Sequence, residues 1–214
     1  MDHKKIKVII ADDHAILRQG LLQILSETED IIVISEATNA SEAIKLAYKS
    51  EADVMLLDIS LPDRNGIDAL KMIKRDNPML AVLMLSMHRE DQYAIRSLKA
   101  GASGYLSKQS ASSDLVTAIR TIAKGKKFIT PELAEALANQ VSSPSDKLPH
   151  ETLSDREFQT MIMIASGLSV SDIALKLSLS VKTISMYRAR LLEKMQMKHN
   201  AELTHYAIKN ELVD

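Results

Sequence analysis

The chain has 214 residues, of which 46% are hydrophobic and 26% are charged, and its formal net charge is −1. These values are typical of a globular protein with one large or two modest domains, and they exclude binding to nucleic acid through overall charge alone. The absence of cysteine excludes disulfides and thiolate metal sites and favours a cytoplasmic protein. No uninterrupted apolar segment approaches the roughly 18 residues of a membrane span, so we expect no membrane partner.

The first part of the chain alternates apolar strand candidates with amphipathic helix candidates. The strand candidates are residues 6–12, 31–37, 53–58, 81–86 and 104–108. Because five strands that alternate with five helices form a parallel sheet covered on both faces, we predict an α/β doubly wound fold with a five-stranded parallel sheet.

The pattern changes after the fifth strand and its helix. Residues 125–152 contain a loop, a short helix candidate opened by Pro131, and a polar, proline-bearing stretch. Beyond them, four short helical patterns follow without a strand candidate. We therefore predict a first domain at residues 1–124, a linker with a short helix at 125–152, and a small all-α domain at 153–214.

Polar side chains stand at the carboxyl ends of four predicted strands. Strand 1 ends in Asp12 and Asp13, strand 3 in Asp58, strand 4 in Ser86 and strand 5 in Lys108. In the 2-1-3-4-5 strand order, ligands bind beyond the carboxyl ends of strands 1 and 3. We therefore expect one acidic pocket, with a hydroxyl and an ammonium beside it.

Three clustered carboxylates repel one another unless a divalent cation lies among them. Since the set offers oxygen ligands and contains no histidine or cysteine, it favours Mg²⁺ or Mn²⁺. We expect Asp12, Asp13 and Asp58 to hold Mg²⁺. The backbone carbonyl of Ser60 is a candidate for a further ligand.

A phosphoryl group in this pocket would be neutralised by the metal, Lys108 and Ser86. Asp58 is then a candidate nucleophile that becomes an acyl phosphate. Taken singly, each residue has a simpler explanation, since Asp12 or Asp13 could cap the following helix and Lys108 could be solvated. The combination at four strand ends favours the phosphoryl site.

The second domain contains a helix-turn-helix pattern. Ser154 and Glu157 form a capping box at the start of one helix, and a later helix runs from about Val181 to Met195 after a tight turn. In such motifs the second helix enters the DNA major groove. Over residues 180–198, five basic side chains stand against Glu193 alone, which is the charge pattern of phosphate contact.

One face of this helix is predicted to contact DNA. The residues on it are Lys182, Ser185, Met186, Ala189 and Arg190. A solvated basic helix is the simpler alternative, and a protein-interaction or RNA-binding module is a further one.

Residues 5–124 resemble the receiver domain of bacterial two-component response regulators, through "ADDH", "LLDISLP", "MLS" and "GYLSK". The resemblance implies a flavodoxin-like fold and phosphotransfer to Asp58 from a phosphohistidine of a sensor histidine kinase, with Mg²⁺ required. It also implies that Ser86 and Tyr105 move together as a switch, although a tyrosine on an edge strand could also be packed with its hydroxyl outward. The segment "PDRNG" departs from the family's pattern and places Arg64 near the site, where it either tunes dephosphorylation or lies in solvent.

Residues 150–212 resemble the LuxR-type output domain of NarL/FixJ-class response regulators, through "LSDRE", "GLSVSDIALKLSLSVKTISMYRARLLEKM" and the trailing helix. The resemblance implies that DNA phosphates are contacted by Lys182, Thr183 and Lys194. It also implies that base edges are contacted by Ser185, Met186 and Ala189. Most of the class has histidine at the position of Tyr187. This tyrosine and the segments "MIMIASG" and "ELTHYAIKNEL" resemble the GacA/UvrY subgroup most closely. The last helix implies a homodimer that reads an inverted repeat in double-stranded DNA.

Together these patterns predict a DNA-binding transcriptional regulator that is controlled by phosphorylation of Asp58 and is not an enzyme. The alternative from another class is an Mg²⁺-dependent phosphohydrolase with the same aspartyl-phosphate chemistry. Such enzymes usually have a second aspartate two residues after the nucleophile, and Ser60 occupies that position here.

Overall fold

The structure is a computed structural model that describes residues 5–87, 91–109, 111–142, 148–210 and 212–213. The chain divides into two compact units, Met1–Gln140 and Val141–Asp214, and the division falls inside the predicted linker. Among the helices described, none is both long and apolar enough to span a membrane.

The first unit is built on a parallel sheet of five strands, which confirms the predicted fold class. The strands are β1 (Ile6–Ala11), β2 (Ile31–Ala37), β3 (Val54–Asp58), β4 (Ala81–Ser86) and β5 (Gly104–Ser107). Their order is β2-β1-β3-β4-β5, as predicted. The helices are α1 (Ala15–Ser26), α2 (Ala40–Lys49), α3 (Gly66–Asp76), α4 (Asp91–Lys99), α5 (Ala111–Ala123) and α6 (Pro131–Ser142). Helices α1 and α5 pack on one face of the sheet, while α2, α3 and α4 pack side by side.

The central strand β3 is buried along its whole length, as expected for a parallel strand covered on both faces. Ala11 of β1 pairs with Leu57, and Asp58 pairs with Leu85 of β4. This register brings Asp12, the residue after β1, beside the last residue of β3. The sheet therefore positions the candidate site through its strand ends.

The start of the predicted linker packs on the edge of the first unit. Phe128 forms a bridge with Gly104, and its backbone N–H donates to the carbonyl of Ser103 over 2.9 Å. A Cβ at position 104 would lie 2.9 Å from the Cβ of Phe128, so this approach requires glycine. Helix α6 follows with Pro131 as its first residue, as predicted.

The second unit is helical throughout its described residues. Its helices are α7 (Asp155–Ala165), α8 (Val170–Lys176), α9 (Val181–Lys194) and α10 (Asn200–Lys209). The predicted capping box of Ser154 and Glu157 opens α7, and Ser169 with Asp172 forms a second box at α8. A short 3₁₀ helix at Pro149–Thr152, which was not predicted, precedes them. The four helical patterns of the sequence are therefore confirmed.

Candidate functional site

Two buried carboxylates and a buried ammonium meet at the carboxyl end of the sheet. Asp12 follows β1, Asp58 ends β3 and Lys108 follows β5. The Nζ atom of Lys108 lies 2.8 Å from Asp12 Oδ2 and 3.0 Å from Asp58 Oδ2. The structure therefore brings together the charged groups that the strand ends predicted.

The carboxylate of Asp58 is only partly compensated by its surroundings. Burial raises the pKa of Asp58, the positive charge of Lys108 lowers it and the negative charge of Asp12 raises it, so the pKa lies above its usual value. Hydrogen bonds from the Lys108 ammonium and the Ser60 backbone also lower the pKa of Asp58, but burial outweighs them. With Asp13 beside Asp12 and Asp58, three carboxylates face one ammonium, and the pocket favours an additional cation.

Sequence reasoning missed a histidine in this acidic set. The Nδ1 atom of His14 lies 2.9 Å from Asp13 Oδ1, 3.2 Å from Asp12 Oδ1 and 3.9 Å from Asp58 Oδ2. Ligand atoms of all four residues lie within 4.8 Å of one another. The expectation of a set without histidine was therefore wrong. The available signal was the adjacency of the three residues in "ADDH".

The other predicted residues lie around this set. Ser86 ends β4 and is buried, and its backbone carbonyl accepts a hydrogen bond from the backbone N–H of Lys108 over 2.8 Å. Ser60 is half-buried in the turn after β3. Tyr105 is fully buried on β5, so its side chain is not packed outward. Arg64 is exposed, as expected of a side chain in solvent.

Further residues position the pocket without any local signal in the sequence. Arg18 Nη1 donates to the backbone carbonyl of Asp12 over 2.8 Å. The Asp63 carboxylate accepts hydrogen bonds from two backbone N–H groups at the start of α2, over 2.8 and 3.0 Å, and so ties the loop after β3 to that helix. A Cβ on Gly66 would overlap the carbonyl oxygen of Asp58, so only glycine allows α3 to begin this close to the pocket.

In the second unit, helix α9 separates a buried face from an exposed one, as predicted. Ile184 and Leu191 are fully buried on one side. The predicted DNA-contact residues that are exposed are Lys182, Ser185, Met186, Ala189, Arg190 and Lys194. Thr183 is half-buried, and its hydroxyl lies 2.8 Å from that of the N-cap residue Ser180. The exposed face of α9 therefore carries both polar and apolar side chains that a ligand can contact.

Two of the basic side chains in this segment are engaged inside the unit. Lys194 Nζ lies 2.6 Å from Glu157 Oε2 of α7, and Arg188 Nε donates to Asn200 Oδ1 of α10 over 2.6 Å. Burial raises the pKa of Glu157, but the hydrogen bonds from Lys194 and Ser154 and the charge of Lys194 together outweigh it, and the pKa is lowered. The positive charge that α9 offers to a ligand is therefore smaller than the sequence count suggests.

Comparison with known families gives one match for each unit. The family described as response regulator receiver domain matches residues 8–120. The family described as bacterial regulatory proteins, luxR family, matches residues 151–207.

Curated relatives match over nearly the full length. The response regulator UvrY of Escherichia coli K12 is 36% identical over 208 residues, covering 97% of this chain and 95% of the relative. The response regulator GacA of Pseudomonas aeruginosa is 34% identical over 210 residues, covering 98% of each chain. A solved structure of two RcsB dimers bound to two parallel DNAs has a TM-score of 0.59 and 30% identity, covering 95% of this chain and 98% of the other.

Proposed function

Since the chain belongs to the NarL/FixJ-class response regulators, which are DNA-binding transcription regulators of two-component systems, we propose that phosphorylation of Asp58 controls its activity. The observation that carries the proposal is the position of Lys108 Nζ, 2.8 Å from Asp12 and 3.0 Å from Asp58. An ammonium fixed between two buried carboxylates is placed to neutralise a phosphoryl group on one of them.

The phosphodonor is a phosphohistidine of a sensor histidine kinase. A carboxylate oxygen of Asp58 attacks the phosphorus, the P–N bond to the imidazole breaks as the P–O bond forms, and the leaving imidazole takes a proton from solvent. Lys108 neutralises the phosphoryl oxygens, and the hydroxyl of Ser86 donates to one of them. In the resulting state, Ser86 and Tyr105 change position together as the switch.

The carboxylates fit a hard divalent cation. Asp12, Asp13 and Asp58, with the backbone carbonyl of Ser60, would hold Mg²⁺. When bound, the ion supplies charge neutralisation for the phosphoryl oxygens. The burial of Asp12 and Asp58 supports this assignment, because two buried carboxylates with Asp13 beside them favour a cation in addition to Lys108.

The second unit reads DNA through α9 as a homodimer in the cytoplasm. DNA phosphates are contacted by Lys182, Thr183 and the partly exposed Lys194. Base edges are contacted by the neighbouring exposed face of α9. That face consists of Ser185, Met186 and Ala189, with Arg190 at its side. Two such helices related by two-fold symmetry match an inverted repeat. The dimers on DNA in the RcsB structure support this arrangement.

Intact mass spectrometry after incubation with acetyl phosphate tests the phosphoacceptor. We expect one phosphoryl adduct on the wild type that depends on Mg²⁺, no adduct on Asp58→Asn, and an unchanged adduct on the exposed control Asp76→Asn. An equal adduct on Asp58→Asn would contradict the proposal. Continuous release of phosphate from small phosphomonoesters would instead favour the phosphohydrolase alternative.

Binding to duplex DNA tests the output surface. We expect the double variant Lys182→Ala and Arg190→Ala to lose specific binding while it still accepts the phosphoryl group. The control Lys176→Ala, at the end of α8, should bind like the wild type. Equal binding by the double variant at moderate salt, or a preference for single-stranded RNA, would refute the assignment of α9.

A further inference from the structure

His14 brings a nitrogen donor to the mouth of the acidic pocket. Its Nδ1 atom faces three carboxylates at 2.9, 3.2 and 3.9 Å. We infer that His14 is a metal ligand, and that this pocket therefore binds Zn²⁺, and to a smaller degree Mn²⁺, through a mixed set of nitrogen and oxygen donors. The inference rests on the proposed function, since it concerns the cation site of the same pocket.

The separations between the donor atoms fit a single ion. Ligands at about 2.1 Å from an octahedral cation lie about 3.0 Å apart when adjacent and about 4.2 Å apart when opposite. His14 Nδ1 lies at 2.9 Å from Asp13 Oδ1 and 3.2 Å from Asp12 Oδ1, which are the adjacent separations. It lies 3.9 Å from Asp58 Oδ2, close to the opposite one.

The pocket also shows an unmet demand for positive charge that is independent of the histidine. Asp12 and Asp58 are both buried and Asp13 lies beside them, so three carboxylates share the positive charge of Lys108. Among the described residues, Lys108 is the one buried ammonium in an ion pair with this set, and it faces the Oδ2 atoms of Asp12 and Asp58. A cation at His14 would therefore lie against the Oδ1 atoms of Asp12 and Asp13 and share Asp58 Oδ2 with Lys108.

The backbone fixes the imidazole in this position. The backbone N–H of His14 donates to Asp12 Oδ1 over 2.8 Å, and α1 begins only at the next residue, Ala15. The side chain of His14 is about half exposed, so a cation reaches Nδ1 from solvent without any movement of the sheet. In the part of the chain that the structure describes, these four residues are the one group with the spacing of a metal site.

The donor set determines which cations the pocket prefers. Mg²⁺ takes oxygen ligands and gains little from an imidazole, whereas imidazole nitrogen suits Zn²⁺, and Mn²⁺ lies between the two. At equal ligand geometry, Zn²⁺ also binds more tightly than Mn²⁺. His14 therefore shifts the pocket towards these cations, which compete with Mg²⁺ for the same three carboxylates.

Pulsed electron paramagnetic resonance of Mn²⁺ bound to the full-length protein tests the ligand directly. We expect modulation from a coordinated imidazole nitrogen in the wild type, its loss in His14→Asn, and its retention in the control His199→Asn, where an exposed histidine of the second unit is changed. If the wild type binds Mn²⁺ in this pocket, as shown by its loss in Asp58→Asn, but shows no nitrogen modulation, the inference is overturned.

Calorimetric titration with Zn²⁺ and with Mg²⁺ provides the second readout. We expect His14→Asn to weaken Zn²⁺ binding by about tenfold or more and Mg²⁺ binding by less than about twofold. Equal weakening of both would overturn the inference, because His14 would then act only as an ion-pair partner of the carboxylates. Either failure leaves the proposed function standing if Asp58 still accepts a phosphoryl group from acetyl phosphate with Mg²⁺.

Discussion

Replacing Asp58 by asparagine is expected to stabilise the first unit against unfolding when divalent metal is absent. Ligand atoms of Asp58 and Asp12 lie within 4.8 Å, a separation at which two unit charges repel by about 3.5 kcal/mol at an effective dielectric constant of about 20. The attraction to Lys108 at 3.0 Å is about 5.5 kcal/mol on the same scale. Burying the carboxylate costs several kcal/mol more.

The balance of these contributions favours the neutral side chain. In Asp58→Asn the ammonium of Lys108 keeps Asp12 as a partner at 2.8 Å, so no buried cation is left unpaired. Relief of repulsion and of desolvation then exceeds the lost attraction, and we expect the free energy of unfolding to rise by about 1–3 kcal/mol.

The effect depends on pH in a direction set by the raised pKa of Asp58. Because burial holds the folded-state pKa above the ordinary value of 3.8, the carboxyl group destabilises the fold only where it is ionised. The stability that the protonated group contributes is full below the ordinary pKa and is lost as pH rises through the folded-state value. The advantage of Asp58→Asn should therefore shrink as pH falls.

Hydrogen exchange of the β1 and β3 amides in the full-length protein, in buffer with chelator at neutral pH, measures this stability. The control Asp30→Asn removes an exposed ion pair with Arg120 and should destabilise the unit by no more than about 1 kcal/mol. Faster exchange in Asp58→Asn than in the wild type would refute the electrostatic reasoning.

Three further substitutions test individual contacts. Lys108→Met leaves Asp12 and Asp58 without their shared cation, so the same exchange measurement should show a loss of about 3–5 kcal/mol, and wild-type protection would contradict the pairing. Lys194→Met removes one of the hydrogen bonds that lower the pKa of Glu157 and leaves those from Ser154. The stability that this pair contributes is present above the ordinary pKa of 4.5 and is lost as pH falls through the folded-state pKa. The variant should therefore unfold at a lower temperature than the wild type at neutral pH, and its stability should depend less on pH. An unchanged pH profile would mean that the pair contributes nothing. Gly66→Ala places a Cβ against the carbonyl of Asp58, so we expect slower labelling by acetyl phosphate, whereas Gly20→Ala, with open space around it, should label like the wild type. Equal labelling of both would show that the loop adjusts freely.

The sequence by itself determined the sheet and the acidic pocket. The alternation of five strands and five helices leaves few doubly wound strand orders, and parallel strands place all their carboxyl ends at one edge. Asp12, Asp58 and Lys108 could therefore be placed together from their positions in the chain alone. The helices of the second unit were equally readable, because capping residues such as Ser154 and Glu157 mark their starts locally.

Only the tertiary structure decided which side chains contact one another across elements. The approach of His14 to the carboxylates depends on where α1 begins, and the pairing of Lys194 with Glu157 depends on how α9 crosses α7. Composition and periodicity specify which face of an element is buried, but they do not specify the side-chain directions and crossing angles that set these distances. For this reason the location of the pocket could be predicted from the sequence, whereas its nitrogen donor and the reduced positive charge of α9 could not.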